Sequence, residues 1–289
     1  MNKLVYILGS SYSGSTLLGI LLGQHRQCFN AGEIKALGRR DADAESCSCG
    51  EPLASCPFWS DLRQLSVDTL TRPGLREWLA VALAMLRKTA PASATESPET
   101  LLIKGIADRA FGTGQSGTVV DVSKSLWRLH RLREFNSLEI RVVWIRKSLP
   151  ASISSLRKRG RGYWTAMLQA VITDWANRMY LTRQNIEYIE TWYEELATST
   201  DANIADLWAS LGLDTPTSNV RKDASEMHLA TGNEGTKLKV NTHGTIKVNL
   251  DRAWKTRLSQ RQQRIACAAA RRRGDPIDVY GLVCSESNS

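Results

Sequence analysis

Apolar runs alternate along this chain with stretches whose apolar residues recur at helical spacing. Leu4 to Leu8 is such a run, closed by Gly9, and predicts a buried strand. Thr16 to Gly23 predicts an apolar helix ending near His25, and Ala31 to Leu37 predicts a second short helix. Leu75 to Arg87 is helical by the same pattern, whereas Pro91 to Thr100 (PASATESPET) predicts a flexible connector. Thr118 to Val122 predicts a second buried strand. A helix over Ser123 to Glu134 follows it, with apolar Leu126, Leu129 and Leu132 and with Ser123 as its cap. Ile140 to Ile145 predicts a third strand, and Pro150 to Lys158 the helix after it. Tyr163 to Gln184 predicts a longer helix, Ile186 to Ile189 a fourth strand, and Ile204 to Leu211 and Arg252 to Arg273 the last helices.

Strand and helix in alternation predict an α/β fold of three layers, a mainly parallel central sheet with helices on both faces. Ligands of such sheets bind beyond the carboxyl ends of the strands, where three of the four expected strands carry a notable residue or loop. A chain of 289 residues, 42% hydrophobic and without repeats, is long enough for one large core. A single domain over 1–289 is expected, with an irregular Cys-containing insertion around 41–60. No apolar run is long enough to cross a bilayer. Gly9 to Ser15 splits the first apolar stretch and no small-residue cleavage site follows, so a cytoplasmic protein is expected. The net charge of +9 suits nucleic acid, an anionic surface or a highly charged small ligand. The basic residues are dispersed, with small clusters at Arg157-Lys158-Arg159 and Arg271-Arg272-Arg273. No nucleic-acid module accompanies them, so no nucleic-acid partner is expected.

Gly9 to Thr16 (Gly-Ser-Ser-Tyr-Ser-Gly-Ser-Thr) has the frame of a P-loop, with Ser15 where the frame has lysine. Glycines at both ends let backbone N–H groups converge on an anion, and the helix dipole favours negative charge at the same point. Ser11, Tyr12, Ser13, Gly14, Ser15 and Thr16 are the expected binding residues. Losing the lysine that reaches between β- and γ-phosphates suits a nucleotide that has no γ-phosphate. An ordinary Ser/Gly-rich turn is the plain alternative. The third strand then ends in Arg146, and Ser154 follows eight residues later. A guanidinium fork with an added hydroxyl suits a phosphate, although a surface Arg and a capping Ser would read the same way.

Together these motifs resemble the PAPS-dependent sulfotransferases (PAPS is 3'-phosphoadenosine-5'-phosphosulfate). In that family a strand–loop–helix holds the 5'-phosphosulfate, and an Arg with a Ser eight residues on holds the 3'-phosphate. Asn30-Ala31-Gly32-Glu33 is similar to the Gly-Glu segment after the first helix in tyrosylprotein and carbohydrate sulfotransferases. Asp121-Val122-Ser123-Lys124-Ser125 resembles their second strand end, which presents a lysine. Trp192 to Leu196 resembles their Tyr-Glu-acidic-Leu segment, whose tyrosine, here Tyr193, lies near the nucleotide. Gly232-Asn233 and the basic stretch to Lys239 fall where the family has a nucleotide-covering loop. The resemblance implies a P-loop NTPase-like fold and PAPS as sulfuryl donor, with PAP as the desulfated product. It also implies a hydroxyl-bearing acceptor (carbohydrate, small molecule or tyrosine). No metal is expected, because the loop lacks the P-loop lysine and the sequence shows no convincing metal-ligand set.

The resemblance further implies Glu33 as the base for the acceptor hydroxyl and Lys124 as a stabiliser of the leaving group. A helix-start glutamate and an exposed lysine are the plain alternatives. Tyr12 departs from the family, which has Lys or Arg there; either Lys124 supplies that charge, or the loop N–H groups and helix dipole suffice. His25, His130, His228 and His243 rank below Glu33 as bases. Tyr163, Trp164 and Trp175 could line the acceptor cleft or fill the core. Cys47, Cys49 and Cys56 lie close together, but no histidine is near them in sequence to complete a zinc set. Reduced thiols or a local disulfide are therefore expected. Two rival functions stand beside this reading, a P-loop-like kinase or NTPase and a non-catalytic nucleotide-binding protein.

Overall fold

The computed structural model describes residues 3–39, 45–62, 70, 74–88, 97–134, 138–214, 227–230 and 248–276. Its strands are β1 (Lys3–Gly9), β2 (Cys28–Gly32), β3 (Thr118–Asp121), β4 (Glu139–Arg146) and β5 (Tyr188–Trp192). They form one five-stranded, all-parallel sheet in the order β2-β3-β1-β4-β5. The helices are α1 (Ser15–Gly23), α2 (Leu75–Leu86), α3 (Pro98–Phe111), α4 (Leu126–Arg133) and α5 (Leu149–Arg157). They continue with α6 (Tyr163–Arg183), α7 (Tyr193–Thr198), α8 (Thr200–Ser210), α9 (Trp254–Arg257) and α10 (Gln260–Arg273).

The period of two along β1 builds both cores. Leu4, Tyr6 and Leu8 point to one face and pack with Trp59, Leu102, Ile106 and Leu129. Val5 and Ile7 point to the other and pack with Leu18 and Leu22 of α1 and with Leu196 and Leu207. A strand buried on both faces needs the continuous apolar run seen at the chain start. The α/β expectation, a parallel sheet covered on both faces, is the architecture observed. Among the described residues, no helix is long and apolar enough to cross a membrane.

Several elements differ from the sequence reading. Ala31 to Leu37 is not a helix: β2 ends at Gly32, and a 3-10 helix (Ile34–Gly38) follows. β2 is a fifth, wholly buried strand whose sequence Cys-Phe-Asn-Ala-Gly carries no alternation to betray it. The expected connector runs into α3 from Pro98; its residues 91–96 lie outside the described ones. Ser97 accepts a hydrogen bond from the Thr100 N–H at 3.0 Å, with Pro98 in the first turn, so the Ser-Pro-Glu-Thr start was a cap signal hidden in turn-like composition. The helix after β3 begins at Leu126 behind Ser125, because the Ser123 hydroxyl is held by Asp121 and the Lys35 N–H. Ser259 splits the last expected helix and caps α10. Cys267 on α10 is disulfide-bonded.

Candidate active site

All five strands deliver something to one edge of the sheet. The loop after β1 turns into α1 through Gly14, at φ +93°. A side chain there would also meet the Tyr193 ring, with 2.6 Å between its Cβ and Cδ2 of the ring. Gly9 is equally tight, since a Cβ would lie 2.8 Å from the Ile145 carbonyl oxygen and 2.9 Å from Ser13 Oγ. The first turn of α1 holds no acidic residue and no side chain caps it. Its N–H groups and dipole therefore face the loop opening. Ser13 is fully buried, and its Oγ has no hydrogen-bond partner among the described residues. Ser15 is buried, Thr16 half-buried, and Ser11 and Tyr12 are exposed at the tip. Tyr12 takes a left-handed φ of +64°, and the Arg159 guanidinium lies 5.2 Å over its ring. A cation thus stands beside the position where the resemblance misses one.

At the ends of β2 and β3, Lys124 Nζ donates to Glu33 Oε1 at 2.5 Å, with both side chains largely buried. Lys35 Nζ lies 3.9 Å from Glu33 Oε2. Burial pushes the Lys35 ammonium below its usual range, an effect that Glu33 only partly offsets. Lys124 has φ +58°, a left-handed turn that its N–H bond to the Ile7 carbonyl (3.3 Å) fixes beside β1. The structure therefore brings Glu33 and Lys124 together, next to the root of the loop.

Beyond β4 the two neighbouring cations diverge. Arg146 turns inward: Asp174 accepts two hydrogen bonds, at 3.0 Å each, from Nε and Nη2, and Glu190 accepts from Nη1 at 2.9 Å. Its guanidinium also lies 4.2 Å over the Trp192 ring and 4.9 Å over that of Trp144. Ser154 is fully buried, and its Oγ has no partner among the described residues. Lys147 turns the other way. Its Nζ lies 4.7 Å over the Tyr193 ring and donates to Ser155 Oγ at 3.0 Å and to Asp251 Oδ2 at 2.7 Å. Burial alone would raise the Asp251 carboxyl, but Lys147 and the Ala253 N–H hold it below the usual range. Tyr193 donates its hydroxyl to the Asn249 carbonyl, and burial pushes its pKa up to about 12. Gly14, Tyr193 and Lys147 are thus contiguous. The Asp251 carboxylate occupies a nook of cationic and hydroxyl donors that is suited to an anion.

Asp121, the strand-end acid, is consumed internally. It is fully buried and accepts from Arg128 Nε at 2.8 Å and from the Ser123 N–H at 2.9 Å.

The fold has a counterpart among solved structures. The sulfotransferase domain from the curacin biosynthetic pathway aligns with a TM-score of 0.50 at 15% identity, over 93% of this chain and 98% of that one. The chain has the sulfotransferase-domain fold. The sulfotransferase domain of the Synechococcus PCC 7002 olefin synthase also aligns, with a TM-score of 0.47 at 18% identity, over 93% of this chain and 94% of that one. No protein-family model matches the sequence, and no curated protein matches it.

Within this sulfotransferase fold, the side chains that sequence reasoning passed over are Lys35, Lys147, Ser155, Arg159 and Asp251. Lys147 and Ser155 share the eight-residue spacing of Arg146 and Ser154, one position later, so the spacing alone could not choose between them. Arg146 reaches Asp174 and Glu190 while Lys147 reaches Ser155 and Asp251, a divergence the sequence alone does not show. His25 is structural, as its Nε2 lies 2.7 Å from the Asp214 carbonyl oxygen, and His130 is held by the Tyr180 hydroxyl at 3.0 Å. His228 stands among the cysteines. His243 and the 232–239 stretch lie outside the described residues. Tyr163 is buried, whereas Trp164 and Trp175 are exposed on α6.

Proposed function

We propose that this protein is a sulfotransferase that moves a sulfuryl group from PAPS to an acceptor hydroxyl. The observation that carries the reading is the convergence at one sheet edge. There a lysine-free phosphate loop lies between a carboxylate–lysine pair, Glu33–Lys124, and a second cationic nook, Lys147–Ser155. The donors fit the nucleotide: the unpartnered Ser13 hydroxyl and the α1 N-terminus would hold the 5'-phosphosulfate, with Ser11, Tyr12, Gly14, Ser15 and Thr16 shaping the cradle. We place the 3'-phosphate at Lys147 and Ser155 in preference to Arg146 and Ser154, because carboxylates already hold the Arg146 donors. Tyr193 forms the wall between the two anion sites.

Bound PAPS would supply the activated sulfuryl group. The chain's own residues would supply position and charge. Glu33 takes the proton from the acceptor hydroxyl. Lys124, the loop N–H groups and Arg159 beside Tyr12 stabilise negative charge at the leaving oxygen. The kinase reading is weaker on a specific observation, because Asp121, the acid best placed to hold magnesium, is locked to Arg128 and Ser123.

PAP at about a hundredfold over its Kd should stabilise the fold by about 2.7 kcal/mol, a rise in Tm of roughly 5–11 °C, while ATP with magnesium gives little. Equal or greater stabilisation by ATP–magnesium would reject the reading in favour of the kinase. Transfer itself is read by mass spectrometry with PAPS and a mixed panel of sugars, alcohols, phenols and tyrosyl peptides. Asp251→Asn removes the carboxylate that competes for Lys147, so PAP should bind several-fold more tightly, as calorimetry would register. Unchanged or weaker binding would move the 3'-phosphate away from Lys147.

A further inference from the structure

Away from the nucleotide cleft, the fold gathers Cys47, Cys49, Cys56 and His228, whose candidate ligand atoms all lie within 4.8 Å of one another. Three come from the loop after the 3-10 helix and the fourth from a segment some 170 residues later, which is why no sequence window shows the set. We propose that these four side chains form a structural Zn²⁺ site that ties the 227–230 segment to the Cys-rich loop.

Three of the separations between the ligand atoms match those of a tetrahedral site. With Zn–S at about 2.3 Å and Zn–N at about 2.0–2.1 Å, tetrahedral geometry separates two sulfurs by about 3.8 Å and a sulfur from a nitrogen by about 3.6 Å. Cys49 Sγ and Cys56 Sγ are 3.7 Å apart, and His228 Nδ1 is 3.7 Å from Cys47 Sγ and 3.4 Å from Cys56 Sγ. The three cysteines are free thiols, although the separation of Cys49 and Cys56 is within reach of a disulfide. Backbone N–H groups point at the sulfurs: that of Cys49 at Cys47, and those of Phe58 and Trp59 at Cys56. Such N–H donors hold ligand sulfurs in place around a metal. The imidazole is held rigidly as well. Phe58 stacks on it with ring centroids 5.3 Å apart and planes 12° from parallel, and Trp59 Nε1 donates to the His228 carbonyl at 2.7 Å.

Four protein ligands leave no open position, so the site is structural and not catalytic. Binding removes a proton from each thiol to solvent and leaves His228 neutral, so the complex carries one net negative charge. Around it the two segments are already laced together: the Ser48 N–H donates to the Leu229 carbonyl at 3.2 Å and the Leu229 N–H to Ser48 Oγ at 2.8 Å. The Ala230 N–H then donates to the Ala31 carbonyl at 3.2 Å, two residues before Glu33. Zinc at this point fastens the late chain against β2, which leads into Glu33, and it occupies His228, removing it from the list of possible bases.

The test needs no activity. Protein purified from zinc-supplied cells into metal-free buffer should contain about one zinc per chain by elemental mass spectrometry. A mercurial thiol reagent should release it, and Co²⁺ exchange should give the spectrum of a tetrahedral thiolate site. Cys49→Ser and His228→Ala should each lose the metal, while Cys28→Ser, whose thiol lies in another core, should keep it. Stripping zinc from the wild type should lower Tm and expose 227–230 to protease. Wild-type protein that holds neither zinc nor cobalt after refolding with excess of each would overturn the proposal. So would iron in place of zinc, a Cys49–Cys56 disulfide in the purified protein, or full metal content in both ligand variants.

Discussion

Glu33→Gln should lower turnover by about 10²–10⁴-fold while PAP affinity stays near wild type. The substitution keeps the size and hydrogen-bonding capacity of the side chain but removes its ability to take a proton. It also leaves Lys124 and Lys35 facing a neutral amide, and both are substantially buried, so a thermal melt must accompany the kinetics. Loss of the base shows as a fall in kcat at unchanged Tm and unchanged PAP binding. Loss of a structural ion pair shows as a lower Tm, with activity restored on cooling. Lys124→Ala should lower turnover too, with some loss of nucleotide affinity, because its backbone is tied to Ile7 of β1, two residues before the loop begins at Gly9. A fully active Glu33→Gln would remove Glu33 as base. Activity lost in His228→Ala would not by itself reassign that role, since the histidine packs among three cysteines; only loss with metal content and Tm intact would do so.

How much of this was legible in the sequence depends on the range of the interaction concerned. The buried strand, phosphate loop and apolar helix at the start were readable because Leu4 to Gly23 encodes them locally, as an apolar run, two glycines and a helical repeat. The pairing of Glu33 with Lys124 was only half legible. Lys124 follows an expected strand, but Glu33 falls in the expected helix over Ala31 to Leu37, and their contact depends on an unforeseen β2 lying next to β3. Cys-Phe-Asn-Ala-Gly is too short, and too evenly buried, for periodicity to separate strand from helix. The Cys/His cluster was hidden for a plainer reason. Ligand spacing within one loop is visible in a sequence, but a fourth ligand brought in by tertiary folding is not. The choice between 146 and 147 turns on the smallest scale, since a single residue's shift along a strand exchanges its two faces.

That shift makes the sharpest test of the site. Arg146→Ala should destabilise the fold by about 3–5 kcal/mol, because it takes the guanidinium away from Asp174 and Glu190, whereas Asp275 keeps Arg273. For a chain of this size the fall in Tm is roughly 6–20 °C. Lys147→Ala removes a single carboxylate's partner, and Asp251 keeps the Ala253 N–H, so its larger cost should appear in ligand binding. Losing a charge-assisted contact to the 3'-phosphate weakens PAP by about 1.5–3 kcal/mol, roughly 10- to 100-fold. Because AMP has no 3'-phosphate, its affinity should barely change, so Lys147→Ala should nearly abolish discrimination between PAP and AMP. The ratio of the two affinities corrects for any partial unfolding, as both ligands sample the same folded fraction. In Arg146→Ala that ratio should survive even where the folded population has dropped. The opposite pattern, a stable Arg146→Ala that no longer distinguishes PAP from AMP beside a Lys147→Ala that still does, would return the 3'-phosphate to Arg146 and Ser154. Asp174 and Glu190 would then have to release the guanidinium when nucleotide binds.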